Sequence, residues 1–375
     1  MIKKNSNKIF SISGFSFITK IHDGNFAAIN MNNGLKIYSG LKPFNCLYQK
    51  QNITKGTEIY NLKEIFISDK NIEEDKKNKK IYLILYERDI IIYSFENIYK
   101  KCVLFQKIKI GFYIHLLIQL NNKNILFFDK ENKIKLLQYK NGGGEIFFAN
   151  KLYTLKNSSS PNNTFILSFI EFKDNHIITT STNKHPSGEN VIRIYEIQMN
   201  SNNIKLSINN YQNFDGYSCA IFENNICVLE KIKTICIAIN FYIKKNIVIN
   251  NNAIILLNYE YLEIITIIEI EFQINTIFNF SGFSNVGNYQ RIYEYLLISQ
   301  FKKDNNNLNI KKKGKDNFRF IDFYVFEPKN EYEPIIMEGK RISTQNPIDV
   351  TNSFLLNNKN LVIFQTSQIS IYEIF

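Results

Sequence analysis

The sequence predicts an all-β chain folded as a closed β-propeller of seven four-stranded blades, its ring closed by pairing the N-terminal strand with the last blade. Three observations carry this expectation. Short runs of β-branched and aromatic residues alternate with clusters of Asn, Gly, Lys and Asp, and no long stretch repeats apolar residues at the helical period. A strand ending in Ile-x-Ile-Tyr, or a close relative, recurs along the whole chain. The two ends of the chain each supply part of one unit.

In chain order the copies are Leu35-Lys36-Ile37-Tyr38, Ile90-Ile91-Ile92-Tyr93, Ile134-Lys135-Leu136-Leu137, Ile192-Arg193-Ile194-Tyr195, Ile254-Ile255-Leu256-Leu257, Ile321-Asp322-Phe323-Tyr324 and Ile369-Ser370-Ile371-Tyr372. Their fourth positions are separated by 55, 44, 58, 62, 67 and 48 residues, each near the length of one four-stranded sheet with its loops. An apolar run precedes each copy: 26–29, 81–86, 125–128, 176–180, 246–249, 295–299 and 361–364. Turn formers such as Asn32-Asn33-Gly34 and Lys130-Glu131-Asn132 supply the reversal between the two. A further run usually follows, as at 102–108, 146–155, 204–208, 264–270 and 334–337. The blades are therefore expected at about 14–50, 59–108, 112–155, 164–210, 217–270, 274–340 and 348–375, the last completed by 8–13, all within one domain spanning 1–375. Pairing the two ends removes an exposed sheet edge.

At these residues the chain resembles the WD40 family, whose blades end their third strand in an aromatic-acidic pair; here tyrosine stands in place of the tryptophan. The likeness runs over nearly the whole chain. It lacks the family's glycine-histidine dipeptides and buried bracing aspartate, so it is that of a degenerate member. A paired-glycine kelch pattern is absent too, since the one glycine run is Gly142 to Gly144. The resemblance implies a repeat ring that binds other proteins.

Composition agrees with a folded chain. Hydrophobic residues make up 45% and charged residues 21%, far from the balance of a disordered segment. The net charge of +12 is concentrated. Between Lys302 and Lys315, six lysines face Asp304 alone, and five lysines between Lys70 and Lys80 outnumber Glu73, Glu74 and Asp75. A whole face shaped to follow a phosphate backbone is not indicated. Five cysteines form no Cys-x-x-Cys pair and leave one over, which argues against a disulfide framework or structural zinc and suits a reducing, cytoplasmic setting. The most apolar window, 253–270, carries Asn258, Glu260, Glu263 and Glu269, too polar to span a bilayer.

No reaction is written in the sequence. His22, His115, His176 and His185 fall at no metal-ligand spacing, and the chain has no G-x-S-x-G elbow, P-loop or G-x-G-x-x-G. Gly142-Gly143-Gly144 lies between strands, away from any helix N-terminus that could cradle phosphate, and Glu73-Glu74-Asp75 runs straight into lysines. The expectation is a non-enzymatic protein-protein interaction scaffold in a larger cytoplasmic assembly, with no cofactor, no metal and no small-molecule substrate. The alternative is a phosphoinositide- or RNA-binding propeller acting through Lys302, Lys303, Lys311, Lys312, Lys313 and Lys315 in the loop 301–315. That loop interleaves no arginine or aromatic residue for stacking. The segment Asn317-Phe318-Arg319-Phe320 also carries one arginine where phosphoinositide-binding propellers carry a pair.

Overall fold

The structure, a computed structural model, describes residues 7–53, 61–67, 81–96, 101–129, 133–140, 147–155, 164–183, 189–200, 203–217, 226–229, 234–240, 252–258, 260–261, 264–270, 273–286, 289–301, 320–330, 333–337, 341–343, 350–357, 360–365 and 367–373. Within them every regular element is a strand, and the strands form seven antiparallel sheets.

Sheet 1 comprises β2 (Phe15–Lys20), β3 (Phe26–Asn30), β4 (Leu35–Tyr38) and β5 (Cys46–Lys50). Sheet 2 follows with β6 (Asn61–Ile65), β7 (Ile81–Tyr86), β8 (Asp89–Glu96) and β9 (Lys101–Lys109). Sheet 3 holds β10 (Ile114–Gln119), β11 (Ile125–Asp129), β12 (Ile134–Tyr139) and β13 (Phe147–Leu155). Sheet 4 holds β14 (Thr164–Lys173), β15 (His176–Asn183), β16 (Glu189–Asn200) and β17 (Asn203–Tyr217). Sheet 5 holds β18 (Ile226–Leu229), β19 (Thr234–Asn240), β20 (Asn252–Asn258) and β21 (Ile264–Ile270). Sheet 6 holds β22 (Gln273–Val286), β23 (Tyr289–Phe301), β24 (Phe320–Asn330) and β25 (Glu333–Met337), with β26 (Arg341–Ser343) also pairing β24. Sheet 7 joins β27 (Val350–Leu356), β28 (Asn360–Gln365) and β29 (Gln368–Glu373) to β1 (Asn7–Ser13) from the other end of the chain.

Each tetrapeptide copy lies on the third strand of its sheet: β4, β8, β12, β16, β20, β24 and β29. In five sheets the outer strand carries one extra residue opposite the step between the copy's third and fourth residues. The step is Ile37/Tyr38, Ile92/Tyr93, Ile194/Tyr195, Leu256/Leu257 or Ile371/Tyr372. Such a bulge twists the outer strand locally, and its recurrence marks the sheets as copies of one unit more firmly than the tetrapeptide does. Two details differ from expectation. The strand that pairs with β20 is β19, not the run at 246–249, which lies outside the described residues. The outer strand of sheet 4 runs on to Tyr217, well past 208, because β16 is itself long and pairs with it from Asn200↔Asn203 to Glu189↔Tyr217.

The core sits between sheets, where their apolar faces meet. Sheets 1 and 2 enclose Ile29, Ile37, Leu83, Tyr93 and Phe95; sheets 2 and 3 enclose Ile84, Ile92, Ile125 and Phe127. Sheets 3 and 4 share Phe128, Phe169 and Tyr195, and sheets 4 and 5 share Ile178, Val228 and Ile237. Sheets 7 and 1 close on Phe26, Tyr38, Phe364 and Ile371, with Ile9, Phe10 and Ile12 of β1 against them. Full burial of one such side chain contributes about 1.5–3 kcal/mol. Neighbouring first strands also touch, including β2 with β6, β18 with β22, β22 with β27, and β27 with β2, so the contacts return to the first sheet.

Candidate interaction surfaces

Main-chain bonds at the strand ends define two faces. On the first, the turn between second and third strands bonds the connection that leads into the next sheet. Ser367 O accepts from Gly14 N (2.9 Å) and Phe15 N (3.1 Å), Asn33 O from Ile53 N (3.2 Å), and Arg88 O from Gly111 N (3.0 Å). The opposite ends of the strands carry the turns between first and second strands and between third and fourth.

The second face holds a repeated inter-sheet clasp. Lys20, Glu64, Gln119 and Glu171 occupy one position of the first strand, opposite the residue that pairs with the fourth residue of the tetrapeptide. Glu64 Oε2 accepts from the main chain of His22 at 2.9 Å, two residues beyond Lys20. Gln119 Oε1 accepts from Phe66 N at 2.8 Å, two residues beyond Glu64. Glu171 Oε2 accepts from Asn121 N at 2.6 Å, two residues beyond Gln119. Three successive sheet boundaries are thus tied by the same bond. Gln119 Nε2 returns a bond to Phe66 O at 2.8 Å, and Glu171 also accepts from Asn175 N at 2.9 Å.

The turns beside these clasps share a backbone shape, with Gly24, Lys123 and Asn175 in the left-handed region at equivalent places. The side chains of Asn25 and Asn124 then cap the strand behind, accepting from Gly40 N at 3.0 Å and Tyr139 N at 2.8 Å.

His22 is held by a carboxylate, its Nδ1 lying 2.6 Å from Glu64 Oε1. Burial pushes the Glu64 carboxyl above its usual range, against the opposing hydrogen bonds from His22, and burial lowers the Lys20 ammonium. Burial likewise raises Glu171, opposed by the N–H groups of Asn121 and Asn175. These carboxylates are spent on joining sheets. His176 Nδ1 lies 2.8 Å from Asp174 O, while His115 stands on β10 and is half-buried. His185 lies outside the described residues.

The first face is rich in cations laid over aromatic rings. Lys36 Nζ lies 5.9 Å from the Phe15 centroid, Lys50 Nζ 5.2 Å from Tyr93, Arg88 Cζ 4.1 Å from Tyr113, and Lys135 Nζ 5.2 Å from Phe112. On the rim, Leu47 of β5 and Leu104 of β9 are 44% and 50% exposed.

The lysines expected to bind an anionic partner, Lys302, Lys303, Lys311, Lys312, Lys313 and Lys315, lie outside the described residues, as do Gly142 to Gly144 and Glu73 to Asp75. The strands that carry the lysine segment are described: β23 ends at Phe301, β24 begins at Phe320, and the two pair from Ser299↔Ile321 to Glu294↔Phe326. Among the described residues no group of three His, Cys, Asp or Glu side chains could hold a metal ion, and no helix is long and apolar enough to cross a membrane.

Seven antiparallel sheets with a shared strand order define the β-propeller class of fold, and solved propeller domains are similar to this chain over nearly its whole length. The Cps50 (Swd1) β-propeller domain of Myceliophteria thermophila is 10% identical, with 99% of this chain and 100% of that one covered at a TM-score of 0.55. The WD40 domain of SCAP from fission yeast is 9% identical over 99% and 98% of the two chains, TM-score 0.49. Saccharomyces cerevisiae Sqt1 is 8% identical over 99% of each chain, also at 0.49. No family model matches the sequence, and no curated protein does.

Proposed function

We propose that this chain is a single-domain, closed seven-bladed propeller acting as a non-enzymatic protein-protein interaction scaffold within a larger cytoplasmic assembly. One observation carries the reading: the recurring residues are consumed by the frame. The apolar tetrapeptide residues whose burial is described are buried, and Glu64, Gln119 and Glu171 clasp one sheet to the next. What varies from unit to unit is the turns and rims, and binding residues concentrate on such loops when a rigid frame presents them. The expected result is stable co-purification with protein partners from gentle lysates that survives moderate salt. Recovery of the chain as a lone monomer under the same conditions would count decisively against the scaffold.

A second reading, binding of phosphoinositide or RNA through Lys302 to Lys315, is favoured by the density of lysine in that one connection. Replacing Lys311, Lys312 and Lys313 by glutamine would then abolish liposome or RNA binding and flatten its salt dependence. Binding that survives the substitution removes this reading.

A further inference from the structure

Among the described residues, charge is divided unevenly between the two faces. On the first face of sheets 1 to 3, Lys36, Lys50, Arg88, Lys107, Lys109 and Lys135 form an arc that crosses two sheet boundaries. Lys50 on β5 reaches over Tyr93 of sheet 2, and Arg88 in the β7–β8 turn reaches over Tyr113, in the connection to sheet 3. Among the described residues the arc's acids number three against its six cations: Asp89 lies 3.4 Å from Lys107 Nζ, Asp129 lies 3.9 Å from Lys135 Nζ and accepts from Lys133 N at 2.8 Å, and Glu87 is buried, which leaves Lys36, Lys50, Arg88 and Lys109 outside these pairs. The second face is mixed, with Glu64, Glu171, Asp174 and Glu373 among its lysines.

We infer that the arc docks an acidic, glutamate- and aspartate-rich segment of a partner protein. This names the partner chemistry of the scaffold and rests on that reading. Positive charge on a rigid frame steers and orients an oppositely charged chain. Single-stranded nucleic acid would use bare aromatic rings as stacking platforms, but Phe15, Tyr93, Phe112 and Tyr113 each already carry a cation. A bilayer would need an apolar surface to insert, and on this face the described residues expose one large apolar side chain, Met31.

The test uses the full chain and a short fluorescein-labelled peptide of alternating glutamate and serine, read by fluorescence anisotropy. Combining Lys36→Gln, Lys50→Gln and Lys135→Gln is expected to weaken binding by about tenfold or more, the sum of several modest ion pairs. The second-face set Lys42→Gln, Lys101→Gln and Lys123→Gln should leave it within about twofold on the same scale. Equal losses in the two sets, or tighter binding of oligouridylate or phosphatidylserine vesicles than of peptide, overturn the inference, as does an absence of peptide binding at low salt. If the first set does not fold, Lys107→Gln with Lys109→Gln, both exposed on β9, replaces it with the same expectation. Wild-type chain that co-purifies with partners but ignores the peptide leaves the scaffold standing and sinks the arc. Loss of partners altogether sinks the scaffold first.

Discussion

His22 and Glu64 join the first two sheets twice: the main-chain N–H of His22 reaches one carboxylate oxygen at 2.9 Å and its Nδ1 lies 2.6 Å from the other. Removing the carboxylate leaves a half-buried N–H without its acceptor. Glu64→Ala is therefore expected to cost about 1–3 kcal/mol in urea unfolding. Glu171→Ala, which strips Asn121 N and Asn175 N of their acceptor, should cost a similar amount.

The pH dependence of these two carboxyls runs opposite to that of an ordinary ion pair. Burial raises both in the folded state, so the folded chain holds more protons than the unfolded one between the usual carboxylate range and the raised value. Their contribution to stability is present in full below the unfolded pKa and is lost as pH rises through the folded one. Thermal melts of Glu64→Gln and Glu171→Gln should show a shallower decline across that window than the parent chain. A steeper decline would contradict the burial of these groups.

Tyr38 ends the first tetrapeptide copy and packs in a ring cluster, stacked on Phe26 at 5.2 Å and edge-on to Phe15 at 6.0 Å. Burial pushes its hydroxyl up to about 12. Tyr38→Ala should destabilise by about 3–5 kcal/mol, as for a large aromatic lost from a core. Tyr261→Ala, at a residue 67% exposed, should stay within about 0.5 kcal/mol. Calorimetric melts separate the two.

Gly40 lies where turns of sheets 1 and 7 meet. A Cβ placed there would fall 1.7 Å from Gly24 O, while Asn357 Nδ2 donates to Gly40 O at 2.8 Å. Gly40→Ala should cost about 1–3 kcal/mol through overpacking, whereas Gly111→Ala has open space for the methyl and is strained only by its backbone.

Cys46, Cys102, Cys227 and Cys236 are thiols, not disulfides. Cys227 and Cys236 face each other across β18 and β19 and are buried. Timed alkylation with mass spectrometry should label exposed Cys46 first, then Cys102, whose pKa burial raises. Cys227 and Cys236 should react only on unfolding, and early labelling of either would argue against the β18–β19 pairing.

Much of this fold is legible in the sequence because the tetrapeptide sits on a strand whose two neighbours bury it, so packing constrains the same side chains in each unit. The inter-sheet clasps were not legible. Lys20, Glu64, Gln119 and Glu171 share a position but not a chemistry, and their partners are main-chain N–H groups that leave no mark on residue type. A signal did exist in the asparagine before the second strand, Asn25 and Asn124, hidden because asparagine is common throughout the chain. The short β26 leaves no sequence signal for another reason: three residues give too little alternation to register as a strand. The expected lysine site rested on composition, which says where charge is stored but not what it touches.

The extra residue on each of five outer strands falls at the same height of the sheet. An outer strand offers a row of unmatched main-chain groups, and a second molecule could in principle extend the sheet along it. A bulge interrupts that row and bends it. Leu47 and Phe105 are such interruptions on neighbouring sheets. A molecule with seven outward edges would otherwise be a template for its own polymerisation. On those five edges the bulge works against pairing with a second copy.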